Sequence, residues 1–200
     1  MSERERWETR FRAPDYLFGK APNAFLKRQA PRLRAGATAL SVADGEGRNG
    51  VWLAEQGLDV LAIDYSATAL AKARALAQER GVHLSTEVAD INTWRWPKAA
   101  YDAIAAIFIH LVPVEREAFF ANVKGALKPG GLLLMESYRP EQLNYRTGGP
   151  PDAERTYTRE ILHAAFGDFA ELEIREHDSM LDEGTAHVGT SALIDLVGRK

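Results

Sequence analysis

Acidic and glycine residues follow three successive apolar runs in the first half of the chain. The segment 41–50 reads SVADGEGRNG, and Asp64 and Asp90 follow the next two runs. Glycines allow the backbone to turn sharply against a ligand, and the N-terminus of a following helix offers free N–H groups to an anion. A carboxylate at Asp64 can accept both hydroxyls of a ribose, and one at Asp90 can accept an adenine amino group while Ile91 covers the ring. Jointly, these residues predict a nucleoside-binding site.

Each residue also has an ordinary structural explanation when taken alone. Gly45 and Gly47 fit any tight loop, whereas Asp64 and Asp90 fit capping or turn positions. With Gly50, the two loop glycines also satisfy the Gly-x-Gly-x-x-Gly fingerprint of dehydrogenases that bind NAD. The nucleoside prediction therefore rests on the three features occurring together.

These residues require a scaffold that brings the ends of several strands together. From residue 38 onward, apolar runs alternate with segments of helical period, which predicts an α/β fold. Short connections favour a seven-stranded, mostly parallel sheet with helices on both faces and ligands at the carboxyl ends of the strands. The predicted strands are 39–42, 60–64, 84–88, 103–108, 132–136, 171–174 and 187–197, and the predicted helices are 48–56, 67–80, 114–127 and 158–165.

Composition limits the class of protein. The 200 residues predict a single domain, with 1–37 as an N-terminal helical cap segment and 38–200 as the core. A formal net charge of −3 argues against a nucleic-acid partner. No apolar run is long enough for a membrane span and the start of the chain is charged, so we expect a cytoplasmic protein without a membrane partner. Cysteine is absent, which leaves any thiol chemistry to the substrate.

The chain resembles the class I S-adenosylmethionine-dependent methyltransferases over residues 38–136. The shared features are the glycine loop, the acid ending the second strand, the Asp90-Ile91 pair and the hairpin sequence Leu-Lys-Pro-Gly-Gly at 127–131. Within that class, the N-terminal aromatic residues and the segment 183–189 are similar to bacterial tellurite-resistance and thiopurine methyltransferase-like enzymes. The loop departs from the family pattern, because Ser41 replaces its leading acid and Ala43 its first glycine.

The resemblance implies a Rossmann-like fold, S-adenosylmethionine as cofactor and S-adenosylhomocysteine as product. Metal dependence is not expected, since no group of His, Asp and Glu shows ligand spacing near the site. Asp44 is a candidate to replace the missing acid. The predicted cofactor-binding residues are Asp44, Gly45, Gly47, Asn49, Asp64, Tyr65, Asp90, Ile91 and Phe108.

Candidate acceptor residues follow the fourth and fifth strands and come from both ends of the chain. His110 and His187 are the candidate catalytic residues; their structural alternatives are a solvent-facing helix entry and a packed histidine. The predicted substrate-binding residues are Tyr16, Phe18, Tyr138, Arg139 and Arg146. The segment 148–151, Gly-Gly-Pro-Pro, is either a lid or a surface loop.

The leading hypothesis is methylation of a small thiol, selenol or tellurite-type chalcogen species. Such soft nucleophiles ionise readily and need less help from a base than an alcohol does. The alternatives are an O- or N-methyltransferase of a small metabolite and a catalytically inactive nucleoside-binding module. The sequence is compatible with a monomer or a homodimer.

Overall fold

The structure is a computed structural model that describes residues 3–184 and 187–200. Seven strands form one sheet: β1 Thr38–Val42, β2 Asp59–Asp64, β3 Ser85–Val88, β4 Tyr101–Ile107, β5 Leu127–Tyr138, β6 Glu171–Glu183 and β7 His187–Arg199. Their order across the sheet is β3-β2-β1-β4-β5-β7-β6. The first five strands pair in parallel, and β7 runs antiparallel between β5 and β6. This confirms the predicted seven-stranded, mostly parallel Rossmann-like sheet.

Helices cover both faces of the sheet, also as predicted. The helices are α1 Glu3–Phe11, α2 Ala24–Arg28, α3 Arg48–Glu55, α4 Ala67–Arg80, α5 Pro113–Ala126, α6 Gln142–Tyr145 and α7 Arg159–Phe166. Apolar residues of α5 and α7 pack against one face, and those of α2, α3 and α4 pack against the other. Central strands buried from both sides explain the nearly continuous apolar runs in the sequence.

Local sequence signals set the ends of the longer helices. The Ser66 hydroxyl accepts a hydrogen bond from the Ala69 N–H and caps α4, which ends at Gly81 in the left-handed conformation. Thr158 caps α7 in the same way, and α5 begins with a proline. These caps fix the loops at the carboxyl edge of the sheet, where the helices begin.

The N-terminal segment crosses this carboxyl edge. Glu8 of α1 accepts hydrogen bonds from the hydroxyls of Ser66 and Thr68 at the start of α4. Phe11 is buried, and its ring stacks on Trp7 at a centroid distance of 5.5 Å. The aromatic residues near the start of the chain therefore belong to a helix that is fastened over the strand ends.

Several observed strand ends differ from the approximate predicted ones. β6 extends to Glu183 rather than residue 174, because it is an edge strand that pairs along its whole length with β7. Its mixture of charged and apolar residues is typical of an exposed edge and hides the strand from a search for apolar runs. β5 begins at Leu127, before its predicted start, and β4 ends at Ile107 because Phe108 adopts a left-handed φ of 55°.

No helix in the described ranges, 3–184 and 187–200, combines the length and apolar character needed to cross a membrane.

Candidate active site

The glycine turn between β1 and α3 has three residues with positive φ. Ala43 has a φ of 49°, Gly45 of 59° and Gly47 of 90°. A Cβ atom at Gly47 would lie 2.5 Å from the Cβ of Ala73, so this glycine is required for the close packing of α3 on α4. At Gly45 the nearest atom to such a Cβ belongs to the Phe11 ring, at 3.4 Å. Phe11 thus covers the turn on the side where a ligand is predicted.

Asp44 is buried inside this turn. It accepts hydrogen bonds from the Ser41 hydroxyl at 2.6 Å and from the Gly50 N–H at 3.1 Å. Burial raises the pKa of Asp44 to about 7, although both hydrogen bonds favour its ionised form. Ser41 and Asp44 therefore form one hydrogen-bonded unit at the start of α3. That Asp44 replaces the family's leading acid stays a prediction.

Asp64 lies beside the same turn, at the carboxyl end of β2. One carboxylate oxygen accepts the Gly45 N–H at 3.0 Å and the other accepts the Ser66 N–H at 2.8 Å. Burial raises the pKa of Asp64 to about 6. A carboxylate has about four acceptor positions, so two remain for further donors such as a pair of hydroxyls.

The remaining predicted cofactor residues differ in exposure. Tyr65 is half-buried, and burial raises the pKa of its hydroxyl above its usual range. After β3, Asp90 is exposed and accepts the Asn92 N–H at 3.0 Å, while Ile91 is buried. Asn49 is used differently, since its side-chain oxygen accepts the Asn23 N–H at 2.9 Å and anchors the segment that precedes α2.

A cavity of about 610 Å³ lies next to α1. One face of α1 lines the cavity with Glu3, Arg6, Trp7 and Arg10. The rest of the lining consists of Phe18, His110, His187, the segment 148–151 and Arg155. Three arginines and one glutamate give the lining a positive balance. Arg10 stacks on Trp7 at 4.3 Å from the ring centroid. Burial lowers the pKa of Arg10, and the neighbouring positive charge of Arg6 lowers it further. An anionic group would relieve that repulsion.

The two histidines and Phe18 line one wall of this cavity, and the rings of Phe108 and Tyr138 pack behind them. The ring of His187 lies 4.5 Å from that of Phe18 and 4.6 Å from that of Phe108, and the ring of Tyr138 stacks on His110 at 5.5 Å. Burial and, to a smaller extent, the neighbouring His187 lower the pKa of His110 to about 3. Burial also lowers the pKa of His187. Both rings are therefore neutral and weakly basic at neutral pH.

Glu183 fixes the position of His187. Its carboxylate lies 3.5 Å from Nδ1 of His187 and accepts a hydrogen bond from Arg48 at 2.7 Å. Burial opposes ionisation, but the contacts with His187 and Arg48 outweigh it and lower the pKa of Glu183 to about 2. Asn23 also donates to Glu183, at 3.1 Å. This buried ionic group ties the cavity wall to the N-terminal segment.

The structure brings some of the predicted substrate residues together and separates others. Phe18 lines the cavity, whereas Tyr138 is fully buried behind His110 and Phe108. The Tyr16 hydroxyl donates to the carbonyl of Lys72 on α4, away from the lining residues.

The two predicted arginines also lie outside the cavity lining. Arg139 donates to the Leu193 carbonyl and to the carboxylates of Glu141 and Asp178, so β7, the loop and β6 hold it in place. Arg146 is exposed in a left-handed turn, with a φ of 57°. Their contact with substrate stays a prediction.

Sequence reasoning missed Glu3, Arg6 and Arg155 as lining residues. A signal for the first two was present, because Glu3, Arg6, Trp7 and Arg10 have the spacing of one helical face. Arg155 follows an irregular loop and pairs with Asp152, so no periodic pattern marks it.

Comparison with known proteins gives the family context. Residues 39–131 match the family model described as a methyltransferase domain. The glycine/sarcosine N-methyltransferase of Halorhodospira halochloris is 35% identical over 116 residues, which cover 54% of this chain and 42% of that protein. The chain spans about half the length of the curated relatives it matches.

Solved structures share the fold at lower identity. One is described as concerning the conversion of a disulfide bond into a thioacetal group during echinomycin biosynthesis. It has a TM-score of 0.76 at 19% identity, and the match covers 100% of this chain and 92% of that chain. TehB from Haemophilus influenzae has a TM-score of 0.71 at 19% identity, with coverage of 89% and 62%. These structures share the Rossmann-like fold of this chain, and residues 39–131 are similar to a methyltransferase domain.

Proposed function

We propose that the chain transfers the methyl group of S-adenosylmethionine to a small molecule bound in the cavity beside α1. The observation that carries this proposal is the position of α1. One face of the helix lines the cavity, and Phe11 at its end covers the glycine turn next to Asp64. A single short helix therefore contacts both the predicted cofactor turn and the predicted acceptor cavity.

The residues at the strand ends fit this cofactor. Asp64 is a buried carboxylate with acceptor positions for the ribose hydroxyls, and Asp90 and Ile91 are available to the adenine. Bound S-adenosylmethionine would supply a methyl group on a positively charged sulfur. The contribution of the protein is then to hold the acceptor in line and to exclude water from it.

For the acceptor, we favour a thiol, selenol or tellurite-type species. His110 and His187 are too weakly basic, with their lowered pKa values, to deprotonate an alcohol. A thiol has a pKa of about 8.5 in water, and nearby cations raise its ionised fraction. Arg6, Arg10 and Arg155 place such cations around the cavity. The site is therefore better suited to an acceptor that ionises by itself.

A second candidate is N-methylation of a small amine that carries an anionic group. It is favoured by the similarity to a glycine/sarcosine N-methyltransferase and by the same arginines, which would bind a carboxylate. An O-methyltransferase and an inactive nucleoside-binding module are further alternatives, the latter because Ser41 and Ala43 alter the glycine turn.

The first test is isothermal titration with S-adenosylhomocysteine, with NAD as the control ligand. Micromolar binding of S-adenosylhomocysteine alone supports the proposal, whereas binding of NAD alone contradicts it. Methyl transfer is then measured with mercaptoacetate, glycine and glycolate, which share a carboxylate and differ in the nucleophilic atom, and with selenite and tellurite. Preference for mercaptoacetate, selenite or tellurite supports a chalcogen acceptor, and preference for glycine supports the amine. Cofactor binding with no turnover on a broad panel supports the inactive module.

A further inference from the structure

Three ligand-type side chains meet on one face of the last three strands, outside the cavity described above. They are Glu136 on β5, His177 on β6 and Asp195 on β7. Each offers one oxygen or nitrogen, and these atoms lie within 4.8 Å of one another. Glu136 and Asp195 are directly opposed in the β5–β7 register, and His177 Nε2 lies 3.1 Å from Asp195 Oδ1. The three residues are widely separated along the chain, which is why local spacing did not reveal the group.

The polar atoms of this group are incompletely satisfied. Asp195 is 5% exposed and Glu136 is 2% exposed. In the described parts of the chain, Asp195 Oδ1 and His177 Nε2 have no hydrogen-bond partner of acceptable geometry, even though they are close to each other. The two atoms are near but not aligned as donor and acceptor.

Two carboxyl groups of this set are buried and face each other. Both can be ionised only when a cation lies beside them, because like charges at that range repel strongly in a protein interior. The guanidinium of Arg28 lies 3.4 Å from the other oxygen of Asp195, but its side chain is half-exposed. Asn23 donates to Glu136 at 2.5 Å, and its amide carries no charge.

We propose that Glu136, His177 and Asp195 bind a divalent transition-metal ion of the Zn²⁺ type. One imidazole and two carboxylates are a donor set that Zn²⁺ accepts, and its two positive charges balance the two carboxylates. Bonds of about 2.0–2.2 Å in a tetrahedral site separate neighbouring donors by roughly 3.4 Å. The distance of 3.1 Å between His177 and Asp195 is close to that spacing, and a small inward shift of Glu136 completes the group.

The surroundings suit a structural ion. Asn23 donates to Glu136 and also to Glu183, so the proposed ligand is oriented by a second residue, as metal-binding carboxylates usually are. The ion would join β5, β6 and β7 beneath α2. Methyl transfer does not depend on it in our proposed function, so the two proposals can fail separately.

The test is metal binding by the full chain after treatment with a chelator. Titration with Co²⁺ is followed by visible d–d absorption, Zn²⁺ affinity is measured by competition with a chromogenic chelator, and bound metal is counted by elemental analysis. We expect one equivalent of metal per chain.

His177→Gln and Asp195→Asn should each weaken metal binding by at least about 100-fold, because loss of a ligand weakens binding more than loss of an outer-shell partner does. His83→Gln and Asp182→Asn change exposed residues of the same types and should bind as the unaltered chain does.

Near-ultraviolet circular dichroism of each metal-free variant shows whether it is folded. Failure of the folded, unaltered chain to bind one equivalent overturns the proposal without any variant. It is also overturned if folded His177→Gln and Asp195→Asn retain the affinity of the unaltered chain, since the metal would then bind elsewhere. Titration with S-adenosylhomocysteine in the same samples reports on the proposed function independently.

Discussion

Replacement of Asp64 by asparagine tests the cofactor site most directly. The carboxylate accepts one backbone N–H on each oxygen, from Gly45 and Ser66, and keeps acceptor positions for two ribose hydroxyls. The carboxamide of Asp64→Asn has one acceptor oxygen and places an NH₂ group where the other oxygen was. One charge-assisted hydrogen bond to the ribose is therefore lost.

Such a bond contributes about 1.5–3 kcal/mol. A loss of about 2 kcal/mol weakens binding of S-adenosylhomocysteine by about 30-fold. The free energy of unfolding should also fall, by about 1–3 kcal/mol, because the NH₂ group faces the N–H of Gly45 or Ser66 and leaves that buried donor without an acceptor. Weaker binding by a variant that is still folded is the expected pattern.

Isothermal titration gives the affinity, and urea unfolding gives the stability. The matched control is Asp59→Asn, the same change at the exposed start of the same strand, which should leave both quantities unaltered. Our reasoning is refuted if Asp64→Asn binds S-adenosylhomocysteine within about threefold of the unaltered chain, a difference of under 1 kcal/mol. It is equally refuted if Asp59→Asn weakens binding as much.

Three further predictions concern other parts of the molecule. Gly184 and Gly81 have similar φ values of 67° and 68°, but a Cβ at Gly184 would lie 2.5 Å from the backbone of residues 17–19, whereas a Cβ at Gly81 would enter open space. In urea unfolding, Gly81→Ala should therefore lose about 1 kcal/mol of stability and Gly184→Ala about 3 kcal/mol. Equal losses would contradict the close approach. Burial raises the pKa of Asp44 above its unfolded value, to about 7, so its contribution to stability falls as pH rises from about 4 to 7. In Asp44→Asn, the free energy of unfolding measured with urea should fall less over this pH range, and an unchanged dependence on pH would contradict the raised pKa. His110→Ala should lower kcat at least about tenfold without changing the affinity for S-adenosylhomocysteine. Because the pKa of His110 is about 3, its titration should produce no step in the dependence of the rate on pH between pH 5 and 8. A step near pH 6.5 that disappears in the variant would refute the low pKa.

The core of the fold was predictable because its signals are local. β1, β2 and β4 are apolar runs buried on both sides, and α4 has its capping serine and terminal glycine in the sequence. The predicted span of α4, 67–80, agrees with the observed one at both ends. Where burial and capping coincide with residue type, the pattern identifies the element directly.

The candidate site was only partly predictable, because it depends on contacts between distant segments. His110 and His187 are predicted separately, and no pattern in the sequence indicates that Phe108 and Tyr138 pack behind them. The intramolecular partners of Arg139 and Asn49 were not predictable for the same reason, since they lie on strands or loops far along the chain; the predicted ligand contacts of both residues stay predictions. Side-chain chemistry nominates such residues, but only the fold decides what they touch.

The contacts between the two ends of the chain have a consequence for how the molecule is made. Asn23 and Arg32 are held by Glu183 and Glu173 on β6, and Arg28 is held by Asp195 on β7. These partners are synthesised well after the N-terminal segment, so that segment cannot complete its anchoring until β6 and β7 have emerged from the ribosome. Contacts of such long sequence separation also form slowly. We therefore expect the central sheet to fold before the cavity wall that includes Phe18 and His187 assembles.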